Sequence, residues 1–271
     1  MDKKTKLYLL IAFTWTWIGW IGAYLISNAQ GMALSMDGTV FSLWTDAFGN
    51  ARFWPQLMFT LAVYGPFIGF LAVSDSRKKI ISGGRNPKPF VYYIFLIPLI
   101  SILPAVVISS LTSYFDLKDM TFLSAAAAVL VYFISNVLTS GTEEFGWRGV
   151  LYPAMKARGM SFWSIAWKGG LIWALWHFPL LFMMYLPLGP AVLIPSLIGF
   201  VASIVAMNFI TNFIYEKTNN IWFAVILHAL NNTASFVVVL LFPGTPFTIL
   251  SSIMAWAVVW WIEKKYPKVI A

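Results

Sequence analysis

The stretch FLSAAAAVLVYFISNVLTSGTEEFGWRGVL, residues 122–151, decides the fold. About 20 predominantly apolar residues cross a bilayer as a helix, and this run is longer than that. Yet it holds two adjacent carboxylates, Glu143 and Glu144, and the guanidinium of Arg148. A charge at mid-bilayer costs roughly 2.5–3.5 kcal/mol on insertion scales, so charges found there face a protein interior and mark function. Seven further apolar runs, at about 7–28, 55–74, 90–110, 169–188, 191–212, 220–242 and 245–262, make the chain an eight-span membrane protein. The composition agrees: 60% of the 271 residues are hydrophobic and 10% are charged, against about 25% charged in soluble domains. The fold class expected is all-α, one integral membrane domain over 1–271, bundle-like or conical. The first run follows Lys3, Lys4 and Lys6. Its length and the seven runs behind it mark a retained anchor, not a signal peptide.

The connections sort by charge. The N-terminus, Arg77, Lys78, Lys79, Arg85 and Lys88, then Lys156, Arg158 and Lys217, and the tail Lys264, Lys265 and Lys268 hold 14 of the 18 basic residues. The intervening loops hold Arg52 and Lys118. Eight spans put the basic segments on one side, so both termini are expected in the cytoplasm. This sorting accounts for the net charge of +8 without a nucleic-acid partner. Cys is absent, which excludes disulfide and thiolate chemistry.

Among the ten acidic residues, Glu143 and Glu144 alone fall inside an apolar run, and both histidines, His177 and His228, do so too. Arg148 follows Glu144 by four residues, one turn on the same helix face, and so is expected to pair with it. Glu143 points about 100° away and stays free for chemistry. His228 and Asn232 are likewise one turn apart and present two polar groups to one point. Asn231 points elsewhere, toward helix–helix hydrogen bonding. Counting about 1.5 Å per residue puts Glu143 and His228 some 12 Å from the cytoplasmic end. His177 joins that layer if its span starts at Gly169–Gly170. Residues 160–168 would then be interfacial, with Lys168 snorkelling.

Three motifs carry a resemblance. Glu143-Glu144-Phe145-Gly146-Trp147-Arg148, Trp173-Ala174-Leu175-Trp176-His177 and His228-Ala229-Leu230-Asn231-Asn232 stand in order on separate runs. They resemble Glu-Glu-x-x-x-Arg, Phe-x-x-x-His and His-x-x-x-Asn of the CAAX-processing and bacteriocin-processing membrane endopeptidases, the type II CAAX prenyl endopeptidase family. Trp173 stands where the family pattern has Phe. The motif core covers 143–232. The resemblance implies a glutamate-type membrane protease without a metal cofactor. Glu143 and His177 would activate water, His228 and Asn232 would stabilise the oxyanion, and Glu144 and Arg148 would orient the site. The implied substrate is an isoprenylated C-terminal CaaX tail, losing its last three residues in a cavity open to the cytoplasm, with the bilayer as the other partner. Phe145, Trp147 and Trp173 are candidate substrate contacts.

The residues leave other readings open. Two His and one Glu also make a catalytic zinc set, although no HExxH is present. Intramembrane Glu, His and Arg can line a transport route, and the fold could serve bacteriocin immunity without proteolysis.

Overall fold

The structure is a computed structural model that describes residues 1–36, 40–41, 43, 48–84, 88–112, 114–116 and 120–270, with the backbone alone for 88, 89 and 270. Arg85 and Lys118, and the side chain of Lys88, therefore lie outside the described residues. Within them every regular element is helical. In chain order these are α1 (Lys3–Ala29), α2 (Phe53–Ala62), α3 (Gly65–Val73), α4 (Arg77–Ile81), α5 (Lys88–Ser110) and α6 (Phe122–Leu138). After them come α7 (Glu143–Gly146), α8 (Tyr152–Lys156), α9 (Phe162–Trp176), α10 (Phe178–Tyr185), α11 (Pro190–Thr218), α12 (Ile221–Leu241), α13 (Ile249–Lys265) and α14 (Pro267–Ile270).

Six helical runs among the described residues are long and apolar enough to cross a membrane. Two bent pairs, α2–α3 and α9–α10, would raise the number to eight if each pair crosses once. The chain is a multi-pass membrane protein. Its bundle is built by α1 on α2 and α3, α9 on α11, α12 on α5 and α6, and α13 on α5 and α11.

Two of the expected spans are bent and a third is locally irregular, and the sequence explains each departure. α2 and α3 meet at 53° where Pro66 follows Gly65. Proline lacks the N–H that would bond the carbonyl four residues back, so the Ala62 carbonyl is orphaned in an apolar medium. Thr16 Oγ1 on α1 donates to it at 2.7 Å, and Trp15 Nε1 donates to the Leu61 carbonyl at 3.0 Å. α9 and α10 also meet at 53°, with Pro179 just past the bend and Trp17 Nε1 donating to the Trp176 carbonyl at 3.0 Å.

The third departure lies in the stretch read first. α6 stops at Leu138, and a 3-10 turn at Ser140–Thr142 leads into α7, followed by a π-helical turn over Trp147–Leu151. Here hydroxyls compete for the backbone: Thr139 Oγ1 bonds the Ser135 carbonyl at 2.8 Å and Thr142 Oγ1 the Thr139 carbonyl at 2.6 Å. The Glu-Glu-x-x-x-Arg motif thus follows a local change of hydrogen-bonding pattern inside one long helical run, Phe122–Lys156, which keeps the span expected there. Gly146 is required there, because a Cβ would lie 2.5 Å from Tyr8 Oη and 2.6 Å from the Pro66 carbonyl.

One expectation is corrected. Gly169–Gly170 does not start a helix: α9 begins at Phe162, capped by Ser161, and runs through both glycines. They sit where α11 crosses closely, a Cβ on Gly170 meeting Val205 Cα at 2.9 Å. The stretch 162–168 is therefore the first part of α9, with Lys168 exposed on its outer face.

Candidate active site

Glu143 opens α7 and is 2% exposed. Its Oε2 accepts two indole N–H groups, from Trp173 at 2.8 Å and Trp147 at 3.3 Å. Trp147 is one turn along the same helical run, and Trp173 comes from α9. Both indoles grip the same oxygen. Among the described residues nothing bonds Oε1, and Glu143 lines a cavity of about 290 Å³.

Glu144 is fully buried, with an ion pair at one oxygen and a hydrogen bond at the other. Arg148 Nη1 lies 2.9 Å from Oε2, and His228 Nδ1 lies 2.8 Å from Oε1. The one-turn pairing with Arg148 read from the spacing is present, and His228 joins it from α12. Arg148 is itself fully buried. Its Nη2 donates to Asn208 Oδ1 at 3.0 Å, and its guanidinium lies 4.7 Å from the Trp173 ring centroid. Asn208 is held in turn by its Nδ2, which donates to the Ala166 carbonyl at 2.9 Å. A buried ion pair is stable to the degree that its remaining donors and acceptors are met; Asn208 meets Nη2 and the Trp173 face lies against the guanidinium, while Nε has no hydrogen-bond partner among the described residues.

His177 caps α9, and its Nδ1 lies 2.9 Å from the Trp173 carbonyl. A carbonyl only accepts, so Nδ1 carries the hydrogen and Nε2 of the neutral ring keeps a lone pair. His228 Nδ1 likewise carries a hydrogen, since it faces the Glu144 carboxylate. Asn232 lies one turn beyond His228 on α12, and its Nδ2 donates to Asn136 Oδ1 at 2.9 Å. Asn136 also accepts from Ser140 Oγ at 3.0 Å.

The cavity is lined by Glu143, His177, His228 and Asn232 together, so the structure gathers side chains from α7, the α9–α10 bend and α12. Phe145, Trp147 and Trp173, expected as substrate contacts, are absent from that lining and are each at most 4% exposed. Phe145 packs against Phe67 and Phe70, and the two tryptophans stand behind Glu143. Asn231 is half-buried, and no side-chain hydrogen bond of it is present among the described residues. Asn136 and Gln56, which also line the cavity, were not singled out by the sequence. Each is a polar side chain in an apolar run, the one signal that could have marked it. Among the described residues no three His, Asp or Glu side chains are grouped closely enough to hold a metal ion.

The cavity also has a direction. Along α12 it is lined by His228 and Asn232 but not by Ile221 or Val225; along the α6–α7 run by Asn136 and Glu143 but not by Trp147 or Leu151. Its walls continue to Gln56 at the start of α2 and to Ser35 and Met36, which follow α1.

Two comparisons bear on the site. Residues 124–234 match the family described as type II CAAX prenyl endopeptidase Rce1-like. The chain is also similar to CAAX prenyl protease 2 of Methanococcus maripaludis, at 26% identity over 187 residues, which is 66% of this chain and 63% of that protein. All of the site residues named above from Asn136 to Asn232 lie within the family match. Both comparisons support the family read from the three motifs, the Rce1-like type II CAAX prenyl endopeptidases.

Proposed function

We propose that the chain is a membrane-embedded endopeptidase of the glutamate type, which hydrolyses the bond after a lipid-modified cysteine, with the isoprenylated CaaX tail as its reference substrate. The observation that carries this reading is Glu143: one oxygen is pinned by two indoles and the other faces a cavity shared with His177, His228 and Asn232. Eight spans with both termini in the cytoplasm complete the proposal.

A water between Glu143 Oε1 and His177 Nε2 gives up its proton to the carboxylate as its oxygen attacks the scissile carbonyl. Base catalysis of this kind contributes roughly 10²–10⁴-fold. The oxyanion takes hydrogen bonds from the second Nδ2–H of Asn232 and from His228 Nε2. For His228 to donate there, the ring carries both protons, and Glu144 accepts the one on Nδ1. Each such donor is worth roughly 10²–10³-fold. Collapse breaks the C–N bond, and the protonated Glu143 returns its proton to the leaving amine.

The test is release of the tripeptide from a farnesylated CaaX peptide by purified protein, comparing wild type with Glu143→Ala and His228→Ala. Both variants should fall by at least about a hundredfold. Undiminished cleavage by either would remove that residue from the mechanism, and no cleavage by wild type of any lipid-modified tail would remove the proposal.

A further inference from the structure

Asn232 is the one amide assigned to the oxyanion, and an amide has two unlike ends: Nδ2 donates, while Oδ1 only accepts. Turned the wrong way, the same side chain would aim an acceptor at the developing negative charge. Its orientation is decided on the α6 run, where Tyr132, Asn136 and Ser140 stand one helical turn apart. Asn136 Nδ2 lies 2.9 Å from the Tyr132 carbonyl. A carbonyl can only accept, so the nitrogen of Asn136 must face it and Oδ1 must face away. Oδ1 then accepts from Ser140 Oγ at 3.0 Å and from Asn232 Nδ2 at 2.9 Å. Both of its lone pairs are used, and Asn232 can meet it only through its nitrogen.

The packing around this bond holds it in place. The Tyr132 ring stacks on Phe236 of α12, with centroids 4.1 Å apart and planes within 6°. Tyr132 stands one turn before Asn136, and Phe236 one turn after Asn232. The stack and the amide pair are therefore successive rungs of one antiparallel register between α6 and α12. Asn136 is 6% exposed, so water competes little for its oxygen, yet it lines the same cavity as Glu143 and Asn232.

We infer that Asn136 is a positioning residue for the oxyanion. The Tyr132 carbonyl fixes its amide, and its Oδ1 turns Asn232 so that the second Nδ2–H points into the cavity. The inference rests on the peptidase reading for what that N–H stabilises. It adds a residue that none of the three sequence motifs contains. Without Asn136 the Asn232 amide is free to turn over, and a donor worth roughly 10²–10³-fold is aligned only part of the time.

The test is a double-mutant cycle on the purified full chain in lipid nanodiscs, with a farnesylated CaaX peptide. Asn136→Leu keeps the shape and removes the acceptor, and it leaves the Tyr132–Phe236 stack in place. It should lower kcat roughly 10- to 100-fold with KM within about twofold, as a misplaced catalytic group does. Asn232→Ala should fall roughly 10²–10³-fold. The double variant should fall about as far as Asn232→Ala alone, because Asn136 acts only through it. A kcat for Asn136→Leu indistinguishable from wild type, or losses that multiply in the double variant, overturns the inference. A raised KM at constant kcat does so as well, by making Asn136 a substrate contact. Asn136→Ala is carried through the same cycle if the leucine variant does not fold. Melting midpoints of the four proteins read the amide pair without turnover: non-additive shifts support it, and additive shifts overturn it. Non-additive shifts in a protein that cleaves no lipid-modified tail would count against the peptidase reading alone.

Discussion

Replacing Trp173 with Phe isolates one hydrogen bond of the site. The substitution removes the indole N–H that meets Glu143 Oε2 at 2.8 Å. An aromatic ring stays beneath the Arg148 guanidinium, 4.7 Å away, and against the His228 ring, whose centroid is 5.3 Å off. A hydrogen bond to a charged group is worth about 1.5–3 kcal/mol net, which is roughly 10- to 100-fold in rate if it holds the base in its attacking position. Trp147 still donates to the same oxygen at 3.3 Å, so the loss should fall near the lower end, about tenfold. It should appear in kcat with KM unchanged, because Trp173 does not line the cavity. The assay is steady-state cleavage of a quenched farnesylated peptide in lipid nanodiscs, with thermal unfolding measured alongside. Trp147→Phe should cost less, and the double variant more than the product of the two, since it removes the last donor. A kcat within twofold of wild type in a stably folded Trp173→Phe protein would refute the clamp. A raised KM at constant kcat would make Trp173 a substrate contact after all.

Other consequences concern stability. Arg148→Met leaves the Glu144 carboxylate buried with His228 as its remaining bonded partner; breaking a buried pair this way costs about 3–5 kcal/mol. Tryptophan-fluorescence melting should show a large downward shift, and an unchanged midpoint would mean the pair contributes little. Thr16→Val keeps the shape but orphans the Ala62 carbonyl freed by Pro66. The expected cost is about 1–3 kcal/mol, read in the same melt, with Thr16→Ser restoring most of it. Lys4, bonded to Asp75, holds that carboxyl below the usual carboxylate range. A lowered folded pKa means that this clasp is whole above about pH 3.9 and is lost as pH falls through the folded value. Both side chains are exposed, so Asp75→Asn should differ only slightly from wild type at pH 7. That difference should close on acidification, and a gap that widens toward low pH would contradict the sign.

Much of the site was legible because a bilayer leaves so few polar residues to choose among. Glu143, His177, His228 and Asn232 line one cavity because each is a polar group that an apolar run can hold only against protein. The Glu144–Arg148 pair followed from helical spacing alone. The geometry around them was less legible. Periodicity reads 122–151 as one run, since its residues are apolar on both sides of Thr139, and nothing in hydropathy says that Ser and Thr hydroxyls will divert the backbone. The glycines at 169–170 looked like a helix start because glycine weakens helices; only the approach of α11 explains them. The partners of the motif residues, Asn136 and Asn208, were hidden by distance in sequence. They lie on α6 and α11, and which faces meet is decided by packing that no single run encodes. The tryptophans misled for the same reason: an indole reads as apolar surface until its N–H is seen to point at a carboxylate.

The broken helices do more than shape the cavity, as the bend at His177 shows. In a continuous helix the Trp173 carbonyl would accept the backbone N–H of residue 177. At the bend that N–H turns to Ala174, at 3.0 Å, and the Trp173 carbonyl is left without its helical partner inside the bundle. The His177 ring supplies the missing donor through Nδ1, and this sets the tautomer that leaves Nε2 as the lone-pair nitrogen. The indole of the same Trp173 pins Glu143. One residue therefore positions both groups assigned to activating water, its side chain through the carboxylate and its main chain through the imidazole. An unbroken α9 would satisfy its own carbonyl and release the ring to either tautomer, so the Pro179 that follows the bend belongs to the chemistry as much as to the fold. A phenylalanine at position 173 would keep the main-chain half of that arrangement and lose the side-chain half, leaving Trp147 as the one indole on Glu143.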